Sequence, residues 1–277
     1  MNNPKSLVSI IIPCYNKASF LGETLDSVAA QSYPNLEIVV VDDESPDNTR
    51  EVVEMYKGRM TNLVYMHQTN QGPSAARNNG IRNSKGEYVM ALDADDKLAP
   101  TYVEKCVEYL ERHPECKLVY SKADMFGTQY GPWNLPEYSF EKLLWDNMIN
   151  YCALYRRKDF PSCGYNTNMV KGLEDWDFWI TFLHPEDKVH RIDEVLFFWR
   201  TQPVSRTFDA EQHERELMRQ IYHNHKEVYE PYMEDIIFYK NMWDNTALQF
   251  AKARKSKAYR IGKTMVKPFA WAKSLFQ

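Results

Sequence analysis

No stretch of the 277 residues approaches the roughly 18 to 20 uninterrupted apolar residues that a membrane-spanning helix needs. The opening Met1-Asn-Asn-Pro-Lys-Ser6 has no apolar h-region, so no signal peptide is expected and a cytoplasmic location is. Cysteine is scarce. The five residues Cys14, Cys106, Cys116, Cys152 and Cys163 are odd in number and scattered, with neither a CxxC pair nor zinc-ligand spacing. They read as reduced thiols. Glycine-rich phosphate loops are missing as well. No GxxxxGK[ST] occurs, and the stretch Pro13-Cys-Tyr-Asn-Lys-Ala-Ser-Phe20 lacks GxGxxG, which argues against a P-loop NTPase or a dinucleotide dehydrogenase. Outside residues 251–277, the basic, aromatic-interleaved surface of a nucleic-acid binder is also wanting.

What is present is a chain that is 44% hydrophobic, enough to bury one large domain with an extension. Its net charge of −4 hides an asymmetry. Residues 251–277 hold eight Lys or Arg and no acid, leaving 26 basic against 38 acidic residues, or −12, in the rest. In that tail Lys252, Arg254, Lys255, Lys257, Arg260, Lys263, Lys267 and Lys273 lie among Tyr259, Met265, Phe269, Trp271 and Phe276, a mixture suited to peripheral contact with an anionic bilayer. A helix docking on the acidic body is the plain alternative.

Short β-branched or apolar runs recur through the first 121 residues: Val8–Ile12, Glu37–Val41, Asn62–Met66, Glu87–Leu92 and Lys117–Tyr120. Several are continuous rather than alternating, as expected of strands buried on both faces. Between them Ser19–Gln31, Asn48–Tyr56, Pro73–Asn83 and Pro100–Arg112 carry apolar residues at helical spacing. The alternation predicts an α/β fold, a largely parallel sheet with helices on both faces, and ligands at the carboxyl ends of the strands. Four polar segments sit at those ends: Pro13–Asn16, Asp42–Asp47, Gln68–Gly72 and Asp93–Asp96. Beyond Tyr120 periodicity fades, apart from helical pieces near Phe140–Asn147 and after Gly172, a strand at Val189–Arg200 and helices from Asp209 onward.

Asp93, Asp95 and Asp96 fall within four positions, where their mutual repulsion calls either for solvent or for a cation. With no glycine device to hold phosphate, a hard divalent cation bridging carboxylates and a diphosphate is the other solution. A DxD by itself occurs by chance in many acidic loops.

Five motifs occur in register: Ile12-Pro-Cys-Tyr-Asn16, Val41-Asp-Asp-Glu-Ser45, Asn70-Gln-Gly-Pro-Ser-Ala-Ala-Arg-Asn78, Leu92-Asp-Ala-Asp-Asp96 and Glu174-Asp-Trp-Asp177. In order and spacing they resemble the family 2 glycosyltransferases with the GT-A fold, over about residues 6–206. The resemblance implies a nucleotide-sugar half at 1–121, an acceptor-binding half at 122–206, and a helical extension at 207–277. It places Pro13, Tyr15 and Asp43 at the nucleoside, which favours a uridine donor, with Asn70 and Arg77 supporting the same end. By the same similarity Asp93 faces the ribose or the metal, Asp95 ligates Mn²⁺ or Mg²⁺, and Arg200 and Ser205 are candidates for the diphosphate. Asp175 matches the base that takes the acceptor's proton in an inverting displacement, the acceptor being a glycan or lipid-linked glycan in surface polysaccharide synthesis. Taken singly, these residues have plainer readings. Arg77 reads as a surface helix ion pair, Tyr15 as a packed loop aromatic, and Glu174-Asp175 as acids complementing a helix dipole. Trp176 and Trp179 read as helix packing, whereas Tyr130 and Trp133 lie where an acceptor sugar could stack.

Two departures stand out. Gln202 occupies the place where the family often has histidine in Arg-x-His-x-x-Ser, and a glutamine cannot act as imidazole. The QxxRW of processive members is missing, so one sugar per encounter is expected. Two other readings stay open at this point: a haloacid-dehalogenase-like phosphatase, whose DxD normally follows the first strand, and a retired or calcium-binding module, although Asp93–Ala99 fails the EF-hand pattern.

Overall fold

The computed structural model describes residues 5–203, 210, 212–233, 241–242, 245–246, 248–249 and 252. The chain divides into two compact units, Met1–Lys226 and Glu227–Gln277. In the second, a 3₁₀ turn at Glu230–Tyr232 and the helical residues 241–242, 245–246, 248–249 and 252 are described. Except for Lys252, the basic tail and its membrane-contact reading lie outside the described residues, as does Ser205. No described helix is long and apolar enough to cross a membrane.

The first unit is built on a nine-stranded sheet. Strands β1 (Val8–Cys14), β2 (Leu36–Asp43), β3 (Leu63–Gln68) and β4 (Tyr88–Ala91) alternate with helices α1 (Ala18–Ala29), α2 (Thr49–Lys57) and α3 (Pro73–Asn83). All three pairings within the order β3-β2-β1-β4 are parallel, in registers such as Ile11↔Val39, Asp43↔Gln68 and Ile11↔Ala91. The carboxyl ends of these strands therefore share one edge, and the polar segments that follow them converge there. Buried side chains alternate between two faces. Ile10, Ile12, Ile38 and Val40 join Leu21, Leu25, Val53, Val103 and Val107 of α1, α2 and α4 (Tyr102–Arg112) in one core. Each such side chain contributes roughly 1.5–3 kcal/mol by leaving water. Ile11 and Val41 face α3 instead, so closely that a Cβ on Gly80 would stand 2.4 Å from Ile11 Cγ2 and 3.0 Å from Val41 Cγ2.

Past β4 the sheet becomes mixed. Its order continues β8 (Leu154–Arg156), β6 (Cys116–Gly127), β9 (Lys188–Thr201) and β5 (Lys97–Leu98), with β7 (Gly131–Trp133) on the flank of β6. Here β6 and β9 are parallel, and the other four pairings are antiparallel. The predicted Lys117–Tyr120 strand thus runs seven residues further, the region expected to be irregular carries β7 and β8, and the helical piece expected near Phe140–Asn147 is α5 (Phe140–Leu143).

On the α3 side, helix α6 (Glu174–Phe182) builds an aromatic core. Tyr165 stacks on Phe178 at 3.8 Å, and Tyr155 meets Phe182 at 4.8 Å. Trp179 is buried in it, and Trp176, also buried, donates through Nε1 to the Leu143 carbonyl at 2.6 Å, so both serve helix packing. Helix α7 (Glu214–Asn224) belongs to the first unit, so the division falls after Lys226 rather than after residue 206. The reason is a buried carboxylate: Asp177 of α6 accepts from Asn224 Nδ2 at 2.6 Å and lies 2.9 Å from His225 Nε2.

Candidate active site

The loops at the sheet edge are locked before any ligand is considered. Asp47 caps two helices at once, accepting from the N–H of Ala18 at 2.9 Å and from Thr49 N and Oγ1 at 3.1 and 2.6 Å. Buried Asp42 accepts from Ser45 N and Tyr65 Oη at 2.8 and 2.6 Å. Among the described residues, Asn16, Glu44 and Leu173 have positive φ without being glycine, at 54°, 60° and 58°. All three sit in loops of this edge, where such strain persists because the surroundings fix it.

Asp43 is 3% exposed and accepts from Gln68 Nε2, Gln71 N and Gly72 N at 2.8, 2.9 and 2.8 Å. A carboxylate has about four lone-pair sites, so most of its accepting capacity shapes the loop that starts α3. Tyr15 is half exposed beside it in the fold, with its ring unburied, and Pro13 is partly buried. Asn70 is exposed and its N–H donates to Glu44 Oε2 at 3.1 Å. Helices α1 and α3 have no acid in their first turns. Their starts are met by loop carboxylates instead, Asp47 at the N–H of Ala18 and Asp43 at that of Gly72.

Each acid of the DxD segment has its own partner. Asp93 Oδ1 accepts from Arg77 Nη2 at 2.7 Å. Burial pushes the Asp93 carboxyl above its ordinary range against the opposing pull of Arg77. Asp95 Oδ2 accepts from Lys17 Nζ at 2.7 Å and from Gln202 Nε2 at 2.5 Å. Asp96 is 1% exposed, takes the N–H of Arg200 at 2.7 Å, and bonds Tyr151 Oη. Burial, and then its two neighbouring carboxylates, raise the Asp96 pKa well above the usual range. Arg200 itself is fixed through Nε to the Asp95 carbonyl at 2.7 Å and Nη2 to Glu23 at 3.0 Å, over the rings of Phe20 and Phe126.

Arg77 needs a correction. It was expected to support the nucleoside end of a donor, but its side chain is 2% exposed and bridges Asp93 to Glu174, the latter at 2.8 Å through Nη1. An ion pair was the right plain reading, yet a buried one. Its Nε has no protein partner among the described residues. Through this bridge the DxD segment is tied directly to the first turn of α6, although 97 positions separate Arg77 from Glu174.

That first turn carries Glu174, Asp175 and Asp177. Gly172 at φ 129° and Leu173 at φ 58° bend the chain sharply into it. Asn147 Nδ2 donates to Asp175 Oδ2 at 3.0 Å. The Asp175 pKa is raised to about 6, chiefly by burial and secondly by Glu174, with Arg77 and the Asn147 hydrogen bond pulling the other way. Asp177 points elsewhere. It is fully buried and takes Asn166 Nδ2 at 2.5 Å in addition to its contacts with Asn224 and His225.

The sequence profile of glycosyl transferase family 2 matches residues 9–164. The chain belongs to this family. An uncharacterised glycosyltransferase of Rickettsia typhi is 32% identical to it over 76% of this chain and 67% of its own length. TuaG of Bacillus subtilis, a glycosyltransferase named for teichuronic acid biosynthesis, is 38% identical over 40% of this chain and 44% of its own. Among solved structures, residues 1–349 of S. aureus TarS in complex with UDP-GlcNAc superpose with a TM-score of 0.66 at 23% identity, covering 78% of this chain and 66% of that one. The mixed α/β fold of the family 2 chain is thus the GT-A fold. The chain spans about two thirds of the length of the Rickettsia protein and of the TarS structure.

Several members of this family 2 site were not singled out from sequence. Lys17, Tyr151 and Asn147 contact the acids, and Glu23 contacts Arg200, only through the tertiary fold, with Lys17 and Asn147 lying 78 and 28 positions from their acids. A faint signal for Lys17 was available: a lysine right after a polar strand end, opening a helix whose first turn has no acid.

Whether a divalent cation fits can be judged from the donor set. The described residues contain no cluster of three or more His, Cys, Asp or Glu suited to a metal. Asp93 Oδ2 and Asp95 Oδ1, however, make no hydrogen bond with protein among the described residues. Two hard carboxylate oxygens suit Mg²⁺ or Mn²⁺ when phosphate oxygens and water complete the shell. The residues therefore fit a cation that shares its coordination with a diphosphate.

Proposed function

We propose that the chain transfers a single sugar from a UDP-sugar to a hydroxyl of a glycan or lipid-linked glycan, with inversion, in the synthesis of a surface polysaccharide. The observation that carries this reading is the Arg77 bridge, which ties Glu174 of the α6 acid pair to Asp93 of the DxD segment. A sugar hydroxyl is a poor nucleophile and the departing diphosphate gains charge, so the reaction needs a base and a charge sink close together. Asp175 is the base. Its pKa of about 6 keeps it ionised at neutral pH yet basic enough to accept the acceptor's proton. Asn147 orients that carboxylate. Asp95 and Asp93 would hold Mn²⁺ or Mg²⁺, which supplies positive charge to the diphosphate. Arg200, clamped between Asp95 and Glu23, adds a fixed guanidinium on the same side. The half-exposed ring of Tyr15 offers a face to the base of the nucleoside.

The UDP-sugar is favoured by the bound UDP-GlcNAc of the TarS structure, and the polysaccharide setting by the name of TuaG. Incubation with UDP-sugars, Mn²⁺ and a glycan acceptor mixture, with p-nitrophenyl phosphate in parallel, tests the proposal. UDP is expected to be released with no phosphate from the aryl ester. Phosphate release without UDP would mean a phosphatase, and silence in both arms a retired binding module.

A further inference from the structure

Of the three DxD carboxylates, Asp95 alone is held by partners able to leave. Asp93 is tied to an arginine with 2% exposure, and Asp96 is itself 1% exposed and bonded to Tyr151 and to the backbone of Arg200. Lys17, by contrast, is 32% exposed at the side chain, and its four-carbon stem can swing. Its Nζ sits 2.7 Å from Asp95 Oδ2, on the same oxygen that takes Gln202 Nε2, and 5.7 Å from the Phe20 ring. The lysine is also the residue that opens α1, its carbonyl accepting from Phe20 N and Leu21 N. Its charge therefore lies at the start of a helix whose first N–H, that of Ala18, is already capped by Asp47. The ammonium is held there by its counter-charge on Asp95.

We propose that Lys17 is a tethered counter-cation that occupies Asp95 in the free protein and moves to the donor's diphosphate when a divalent cation takes its place. The proposal rests on the UDP-sugar reading of the site. Without a cation, Asp95 would stand unscreened beside Asp93 and Asp96, each of which already feels its negative charge. An ammonium on the same chain satisfies Asp95 with no dependence on metal concentration, so a divalent cation arriving alone must displace it. A diphosphate changes the balance on both sides. It gives Lys17 a new anion at the start of α1, and it gives the metal the oxygens that two aspartates cannot supply. Metal and nucleotide then bind in a mutually dependent way, and neither binds tightly by itself.

The test is calorimetric titration of the full chain with Mn²⁺ alone, then with UDP in the absence and presence of Mn²⁺, on wild type, Lys17→Met, Lys17→Gln and Lys17→Arg. Folding of each variant is checked by its thermal unfolding midpoint, and the two neutral variants guard against failure of either. Removing the charge is expected to tighten Mn²⁺ binding without nucleotide by about two- to fivefold, the worth of a partly exposed ion pair. The same change should weaken metal-free UDP binding by a similar factor, whereas Lys17→Arg stays near wild type on both counts. Equal Mn²⁺ affinity in the wild type and the neutral variants, absence of binding in both included, overturns the exchange. The wild-type UDP titration separates the two readings: UDP that binds while Mn²⁺ affinity is unmoved sinks the exchange alone, and no UDP binding sinks the donor reading with it.

Discussion

Asp175→Asn is expected to lower sugar transfer by roughly 10²- to 10⁴-fold, the usual contribution of a positioned base, while UDP and metal affinity stay nearly unchanged. Asparagine keeps the shape and can still hydrogen-bond Asn147, but it lacks the basic electron pair. The wild-type turnover should rise with pH through about 6, the Asp175 pKa, and level off above it, because only the ionised carboxylate accepts a proton. In the variant that limb is lost. The same shift has a stability consequence with a fixed sign. A carboxyl raised above its ordinary value holds its proton in the folded state longer than in the unfolded chain, so its contribution to stability declines as pH climbs from about 4 to about 6. Near-normal turnover in Asp175→Asn, or an equal loss from Asp177→Asn in a folded protein, contradicts the assignment. Asp177 is fully buried against Asn166, Asn224 and His225, and its expected effect is on the packing of α7 against α6.

Arg77→Met is expected to cost about 3–5 kcal/mol of stability, since removing one partner of a buried ion pair leaves the others uncompensated. Here two acids are left, Asp93 and Glu174, formerly 2.7 and 2.8 Å from the guanidinium. Arg77→Lys should not rescue it. One ammonium lacks the planar fork that reaches both carboxylates at once. The loss should be larger at pH 8 than at pH 5. Without the arginine the pull opposing burial at Asp93 is gone and its carboxyl rises further, so protonation at lower pH relieves the unpaired charge. Urea unfolding at the two pH values measures this. A loss under about 1 kcal/mol at pH 8 would show that the bridge is only an incidental contact.

The first half of the fold is legible in the chain because β1, β2 and β4 are continuous apolar runs and α1, α2 and α4 have one clean apolar stripe. Helix α3 is legible as a helix over Pro73–Asn83, but its buried face is not. It buries Ser74, Ala76, Arg77, Asn78, Gly80 and Ile81, lying between the sheet and the Tyr165 segment, so its polar residues are inside and no period marks them. That is why Arg77 reads as a surface residue in sequence. Strand β8 has three residues and gains its place only by filling the gap between β4 and β6, a pairing no local pattern encodes. In the site the acids are visible as motifs, but their partners come from other elements. Asn147 follows the short helix α5, Tyr151 lies just before β8, and Lys17 opens α1. Chemistry predicts that Asp93, Asp95 and Asp96 need positive charge nearby. Which group supplies it is decided by tertiary contacts with Arg77 and Lys17.

A UDP-sugar crevice at the sheet edge is tested most directly by calorimetric titration of UDP and GDP into the full chain with Mn²⁺, repeated on Asp95→Asn. The expected result is saturable one-to-one binding of UDP, weaker binding of GDP, and loss of the Mn²⁺-dependent part of the UDP affinity in the variant. UDP affinity that is unchanged by Asp95→Asn, or no binding of either nucleotide by the wild type, would contradict it.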